Sequence, residues 1–378
     1  MCNSRSAVPR HVYVHVPFCA RRCSYCDFAI AVRREVPVSE YLQSLAKELQ
    51  VRFGETPAKD VDTIYFGGGT PSRLGGDGLA RAVALVTRYF TPAAGAEITI
   101  EANPEDVTAT AAAQWRIAGV NRVSLGAQSF DNAVLDWMHR THDGAATKSA
   151  VSTLQNADIT NLSLDLIFAL PESLHRNLEN DIDQLLTLEP DHVSLYGLTI
   201  EPTTALGKWV QVGKAVEQPE EGYEMDFLTA NRLLTSAGFE HYEVSNYAKP
   251  GKQAVHNAAY WANVPYVALG PAAHGFDGET RRWNLRNYAE WRDVVMTGTD
   301  PIEGSELLTN ENRVAESVYL GLRSEAGLLT TNSDHAVIDR WIQAGWASVG
   351  ADNRLRCTTN GWLRLDSLAA ALTHHRSR

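Results

Sequence analysis

The chain has 378 residues, enough for one large domain with an appendage or for two ordinary domains. Hydrophobic residues make up 44% and charged residues 21%, the balance of a soluble globular enzyme, and no apolar run reaches the length of a membrane span. A net charge of −11 counts against a bulk nucleic-acid binder, which needs excess Lys and Arg to neutralise phosphate.

The opening residues, MCNSRSAVPRH, lack a secretory-type apolar stretch, so a cytoplasmic location is expected. From there, short apolar runs alternate with longer segments of helical periodicity. Strands are expected at 11–16, 61–66, 97–102, 121–126, 162–168 and 192–198, rich in Val, Ile and Leu with weak polar alternation, as in parallel strands covered on both faces. A helix is expected at 39–53, where Leu42, Leu45, Leu49 and Phe53 recur at helical spacing. Further crossover helices are expected at 75–90, 107–118, 131–139, 144–157 and 175–188. Six βα units in a row predict a parallel sheet curled into a partial barrel, with its chemistry on the loops that follow the strands. Those strand ends hold PFCARRCSYCDF, GGGTPS, EANPE and GAQSF, and the fifth strand carries Asp165.

After about residue 215 the character changes. A helix at 219–236 leads to the strand-like FEHYEVSNY and then to HNAAYW (256–261) and ALGPAAHGF (268–276). Helices at 310–323 and 334–344 precede short strands at 346–349, 353–357 and 361–365, with a Thr-Asn-Gly turn between the last two. The expected class is α/β, a partial (β/α)6 barrel with a C-terminal α+β winged-helix-like module. The expected division is a barrel at 1–215, an extension carrying HNAAYW at 216–305 and the C-terminal domain at 306–378. A DNA-reading role for that last domain is not expected, because Glu311, Glu316, Glu325, Asp334 and Asp339 offset its arginines.

Of five cysteines, Cys19, Cys23 and Cys26 form CxxxCxxC within eight residues, while Cys2 and Cys357 stand apart and read as bystander thiols. In a reducing compartment such a cluster is a metal site sooner than a disulfide framework. Thiolates suit iron and zinc alike. A closed zinc site wants four ligands, and a histidine could complete one. Three thiolates on a [4Fe–4S] cubane instead leave one iron open to a small chelating ligand. Spacing alone tilts only modestly toward iron–sulfur.

The other polar strand ends carry two readings each. Gly67, Gly68 and Gly69 end the second strand, where missing side chains admit a ligand to the backbone or let a tight turn take positive φ. Glu101 could meet a ligand or simply face solvent. Asp165 lies within the apolar run LSLDLIF and needs a partner, for which Arg140 is the candidate; a structural ion pair is the competing interpretation.

CxxxCxxC, preceded by Tyr13-x-His15-x-Pro17-Phe18 and followed about forty residues later by GGGTP, resembles the radical SAM superfamily. More narrowly, YVHVPFC, GGGTPS, EANPE, GAQSF and LDLIFALP in this order resemble the branch that holds oxygen-independent coproporphyrinogen III oxidases and the HemW family of haem chaperones. The resemblance implies a radical SAM barrel, a [4Fe–4S] cluster on Cys19, Cys23 and Cys26, and S-adenosylmethionine (SAM) chelated at the open iron and reductively cleaved there. It implies SAM contacts from Gly68, Gly69, Thr70, Glu101, Gln128, Arg140 and Asp165, with Tyr13 and Tyr25 close by. Both tyrosines could equally be barrel-packing aromatics, and His15 shares that ambiguity and stays outside the site.

Two departures weigh against oxidase activity. Oxidases of the branch resemble one another in a fourth cysteine two residues after the third, where this chain has Phe28, and in a long N-terminal arm, where only eighteen residues precede Cys19. His256-Asn257-Ala-Ala-Tyr260-Trp261 matches the HNxxYW motif associated with haem binding in the chaperones, which makes His256 the expected haem contact. The competing interpretation is that His256 and Asn257 satisfy backbone groups at a turn with the aromatics in the core. His274 is a second candidate. The resemblance therefore implies a haem chaperone with cluster, SAM and haem as cargo, and no catalytic residue is assigned. Its implied partners are apo-haemoproteins as recipients and an electron donor, without nucleic acid; a homodimer and peripheral membrane contact through recipients stay open. The rival is a coproporphyrinogen III oxidase or another radical SAM enzyme acting on a tetrapyrrole.

Overall fold

The computed structural model describes residues 9–54 and 59–377. The expectations for Cys2 and for the N-terminal segment through residue 8 lie outside the described residues.

Strand β1 (His11–Val16) runs into the cysteine loop, which is clipped by a short parallel pair, β2 (Phe18–Cys19) and β3 (Ala31–Val32). Helix α1 (Val38–Phe53), β4 (Lys59–Gly68), α2 (Gly75–Val86), β5 (Phe90–Ala102), α3 (Ala109–Ile117) and β6 (Arg122–Gln128) follow. Next come α4 (Asn132–Trp137), α5 (Gly144–Asn156), β7 (Asn161–Phe168), α6 (Leu178–Leu186) and β8 (His192–Gly197). These βα units pair in parallel in the order β1-β4-β5-β6-β7-β8. The expected strands and crossover helices are therefore present, with ends moved by a few residues.

The strands alternate regularly, where the sequence analysis expects only weak alternation. Val12, Val14, Ile64, Phe66, Ile100, Val123, Leu125, Leu164 and Val193 point outward beneath the helices and are buried. Thr63, Tyr65, Thr99, Glu101, Ser124, Ser163, Asp165, His192 and Ser194 form the facing cross-strand set on the concave side. A polar concave face stays stable only if its groups find one another. They do: Ser163 meets His192 Nδ1 at 2.8 Å, and Tyr242 Oη meets His192 Nε2 at 2.7 Å. Ser124 Oγ donates to Asp165 at 3.0 Å, and Tyr65 Oη donates to Glu101 at 2.9 Å.

The sheet continues past the barrel on both sides. After α7 (Ala205–Gln211) and α8 (Glu220–Ser236), β10 (Asn246–Ala248) adds antiparallel to β8 and β9 (Glu240–Glu243) pairs antiparallel to β10 at the edge. Helix α9 (Val255–Trp261) takes up the HNAAYW segment, to which the sequence analysis assigns a turn only in the competing interpretation of His256 and Asn257; the Glu97 carboxylate accepts from the Val255 and His256 N–H groups and so caps its first turn. Beyond it, β11 (Tyr266–Leu269) joins β1 in parallel, and β12 (His274–Phe276), β13 (Thr280–Asn284) and, after α10 (Tyr288–Met296), β14 (Ile302–Leu307) extend the sheet to twelve strands. Glu48 of α1 binds this added sheet from the convex side through the Gly270 N–H, Asn284 and Trp291. The strands from 246 to 307 lack the long apolar runs of the barrel, and little in the sequence announces them.

The C-terminal module comprises α11 (Asn310–Arg323), β15 (Leu328–Leu329), α12 (His335–Gln343), β16 (Ala347–Val349), β17 (Arg354–Cys357), α13 (Thr359–Trp362) and α14 (Leu365–Arg376). The strand expected at 361–365 is helical instead: the Thr358 hydroxyl caps at Gly361 N, and the small sheet is completed by β15, in the order β15-β17-β16. The module is anchored to the barrel edge by Arg323–Glu243 at 3.3 Å and by an edge-to-face contact of Trp362 with His241. Among the described residues no helix is long and apolar enough to cross a membrane.

Candidate cofactor-binding site

A cavity of about 460 Å³ opens where the parallel strands end. This is where a parallel barrel presents its loops. Cys19, Cys23 and Cys26 line it together with Tyr25, Gly68, Gly69, Thr70, Glu101, Gln128, Arg140 and Asp165. The fold thus brings all the expected site residues to one place except Tyr13 and His256.

The cysteine loop is held in shape by backbone pairing across its neck, with Ala31 N–H to Pro17 O at 2.7 Å and Arg33 N–H to Cys19 O at 2.9 Å. Its middle is tied to the end of α4 by Ser24 N–H to Met138 O. The three thiols are free and half-buried. Thr70 Oγ1 lies 3.3 Å from Cys19 Sγ, and Arg140 Nη1 donates to Cys23 Sγ at 3.6 Å. Burial pushes the Cys19 thiol up to about 11 and raises Cys26 as well. Such thiols stay protonated until a cation compensates them. Among the described residues no three His, Cys, Asp or Glu side chains converge on a single-ion site, these cysteines included. A cubane, which takes one thiolate on each of three irons, asks for no such convergence.

The cavity floor is acidic and half-buried. Glu101 accepts from Tyr65 and from Gly68 N–H, and burial raises its pKa to about 7. Burial likewise lifts Asp165 to about 6, although Ser124 and Ser163 donate to it. The expected Asp165–Arg140 pairing does not form. Arg140 instead donates to Asn103 Oδ1 at 2.7 Å and to Gly126 O at 3.0 Å, while its buried Nε has no partner. Two carboxylates with no ion pair among the described residues, beside an incompletely satisfied guanidinium, suit a ligand that carries both positive groups and a carboxylate. Gln128 reaches the cavity with φ 65°, a left-handed backbone that a glutamine adopts only when the surroundings hold it there.

The glycine run answers both of its readings. Gly68 has φ 109° and packs on the His15 ring, so the turn itself requires it. A Cβ on Gly69 would lie 2.6 Å from the Pro17 carbonyl carbon and oxygen. Gly69→Ala is therefore expected to cost about 2–3 kcal/mol, because the obstacle is backbone that cannot rotate away. Denaturant titration measures this, and a variant within 0.5 kcal/mol of the parent would contradict the packing argument.

Tyr13 lies one layer below the cavity, its hydroxyl 3.1 Å from His15 Nδ1 and its ring stacked on Tyr65. His256 is deeper still, at the N-terminal end of the barrel. It is 1% exposed, with Nδ1 2.6 Å from Thr63 Oγ1, Nε2 2.8 Å from Tyr260 Oη and its ring stacked on Tyr65. Burial lowers its pKa to about 3. As placed, it offers no free nitrogen to a ligand. Sequence reasoning missed Asn103, Glu105 and His139 of the cavity wall. EANPE already contained the first two; their role depends on Arg140, which Asn103 orients, and on Thr141 and His142, which bond Glu105.

Residues 13–185 match the Radical SAM superfamily. The chain is 33% identical over 320 residues to Heme chaperone HemW of Bacillus subtilis, covering 84% of each. It is 37% identical over 330 residues to Heme chaperone HemW of Synechocystis, covering 85% of this chain and 79% of that one. In structure it is similar to coproporphyrinogen III oxidase (HemN) from Escherichia coli, a radical SAM enzyme, with a TM-score of 0.81 over 98% of this chain and 91% of that one at 21% identity, a likeness of fold. A cysteine triplet over a cavity at the strand ends, on this fold and with this extent of identity, settles the kinship: the chain belongs to the radical SAM superfamily and, within it, to the HemW haem-chaperone family.

Proposed function

We propose that this protein is a haem chaperone that binds haem and passes it to apo-haemoproteins, and that it carries a [4Fe–4S] cluster on Cys19, Cys23 and Cys26 with SAM in the adjoining cavity. The observation that carries the cofactor part is the free cysteine triplet set over a floor of two half-buried carboxylates that form no ion pair among the described residues. Bound there, the cluster would supply the electron that cleaves SAM's sulfonium bond. The chain's own residues bind and orient. Glu101 and Asp165 offer carboxylates to the ligand's positive groups, and such groups would draw both carboxyls back toward their charged forms. Arg140 has a spare N–H for a ligand carboxylate. Thr70 and Gln128 add neutral hydrogen bonds at the wall.

The haem part rests on the relatives, which are named as haem chaperones over most of their length. His256 does not enter this reading, because both its nitrogens are engaged and its side chain is buried. A second reading, an enzyme acting on a tetrapyrrole, is favoured by the cysteines and the polar side chains that together line the cavity. One experiment separates the two. Anaerobically reconstituted protein is given haem and an apo-haemoprotein, and in parallel SAM, a reductant and coproporphyrinogen III. Stoichiometric haem uptake and delivery without tetrapyrrole turnover is the expected result. Turnover matched by 5′-deoxyadenosine release would establish the enzyme and defeat the chaperone reading.

A further inference from the structure

Each cysteine of the triplet has a hydrogen-bond donor, and the donors differ in kind. Thr70 Oγ1 lies 3.3 Å from Cys19 Sγ and can only donate once that sulfur is a thiolate. The Phe28 N–H bonds Cys26. Cys23 meets a cation: Arg140 Nη1 donates to its Sγ at 3.6 Å, and the Tyr25 hydroxyl bonds the same sulfur.

The Arg140 guanidinium is aimed by bonds that have nothing to do with a ligand. Nη2 donates to Asn103 Oδ1 at 2.7 Å and to Gly126 O at 3.0 Å. A guanidinium is planar, so two bonds at one nitrogen fix its plane and direct Nη1 at the thiol. Asn103 is fixed in turn, because its Nδ2 donates to Glu105 Oε1 at 3.2 Å and leaves Oδ1 to face Arg140. Burial opposes the charge on Glu105, but bonds from His142 and Thr141 hold its pKa down to about 2, so it remains an acceptor at neutral pH. The main chain is tied to the cysteine loop as well. Met138 O accepts from Ser24 N–H at 3.2 Å, and Arg140 O accepts from Arg21. His139 between them has φ 60°, a left-handed backbone that a histidine keeps only when its surroundings impose it. Both ends of the Arg140–Cys23 contact therefore belong to one bonded unit.

A [4Fe–4S] cluster becomes more negative by one charge when it takes up an electron, and the thiolate sulfurs share that charge. Hydrogen bonds to the sulfurs and positive charge beside them favour the reduced form and raise the potential. Arg140 supplies both at once, in a partly buried place where charge acts more strongly than in bulk water. Asn103 forms no hydrogen bond to a thiol among the described residues, so its influence on the cluster passes through Arg140.

We propose that Arg140 sets the reduction potential of the cluster through Cys23, and that Asn103, braced by Glu105, is the positioning residue that holds it there. The inference rests on the cluster reading above and gives the guanidinium a second use, since its Nε stays open to a ligand carboxylate. The test is an EPR-monitored redox titration of the anaerobically reconstituted full chain without SAM, after iron and sulfide assays. Wild type is compared with Arg140→Leu, Asn103→Leu and Tyr25→Phe. Arg140→Leu is expected to shift the reduction equilibrium about tenfold toward the oxidised form, a midpoint lower by about 59 mV for one electron. Asn103→Leu should lower the midpoint at parental iron load, although it removes no donor to a thiol. Tyr25→Phe removes a neutral donor from the same sulfur and should lower it by less than Arg140→Leu. Parental midpoints in Arg140→Leu and Asn103→Leu, or an equal drop in Tyr25→Phe, would overturn the inference and leave the cluster reading intact. If Arg140→Leu takes up no iron, Asn103→Leu decides: a lowered midpoint supports the inference, and an unchanged or raised one defeats it. No cluster in the wild type would overturn the cluster reading, and this inference with it.

Discussion

Replacing Cys23 with alanine is expected to reduce the iron and sulfide of anaerobically reconstituted protein to background and to abolish SAM binding with them. Three thiolates are the whole protein complement proposed for the cluster, so each holds an iron that has no substitute ligand. Losing one leaves a second iron exposed to solvent and exchange. The fold itself should survive. Cys23 is half-buried on a loop whose neck is held by backbone pairing, so the stability change should stay within about 1 kcal/mol. Cys357→Ala is the counterpart, since Cys357 packs in the C-terminal core and lies outside the cavity; it should lower stability and leave the iron load unchanged. Colorimetric iron and sulfide assays alongside thermal unfolding decide the matter. A Cys23→Ala protein with parental iron and SAM affinity would remove the triplet from the proposed centre.

His256→Ala is expected to cost about 3 kcal/mol or more of folding free energy. The substitution deletes two buried hydrogen bonds and a stacked ring, and it strands Thr63 and Tyr260 with unsatisfied groups. The same residue makes stability depend on pH. Its pKa is about 3 in the fold against 6.5 in the unfolded chain, so the fold keeps it neutral while the unfolded state takes up a proton below pH 6.5. The stability it contributes is complete above pH 6.5 and is lost as pH falls toward 3, at about 1.4 kcal/mol per pH unit. His15, held at about 4, and His241, at about 3, act in the same direction. Guanidinium unfolding between pH 7.5 and 5 should therefore show a declining parent and a shallower decline in His256→Ala. Equal slopes would show that His256 is not buried neutral. If instead the variant were as stable as the parent and failed only in haem binding, the motif histidine would be a ligand after all.

Much of the candidate site is legible in the sequence, because it lies on strand ends and short loops that follow them. Cys19, Gly68, Glu101, Gln128 and Asp165 each sit at or near the C-terminal end of a strand that apolar residues announce. A parallel sheet brings such ends together whatever the details of packing. Phe28 is similarly legible as a departure, though its exposure is not. The polar interior is also present in LSLDLIF and HVSLYG, whose regular alternation fits a one-sided strand; the Val and Leu content draws attention from it.

What the tertiary structure alone decides is which polar group meets which. Asp165 and Arg140 look complementary in sequence, yet the serines on neighbouring strands satisfy the first and Asn103 with Gly126 the second. Whether His256 is a ligand or a structural residue depends on α9 closing the barrel from below and on Glu97, 159 positions earlier, capping it. The stacking of His274 with Trp283 depends on a strand register and on Gly304 leaving room for the indole across it. Local sequence sets propensity, period and turn chemistry, and these suffice for the barrel, the cysteine loop and the glycine turn. Hydrogen-bond partners and free nitrogens are set by contacts between residues far apart in the chain, and only the packed sheet makes those contacts.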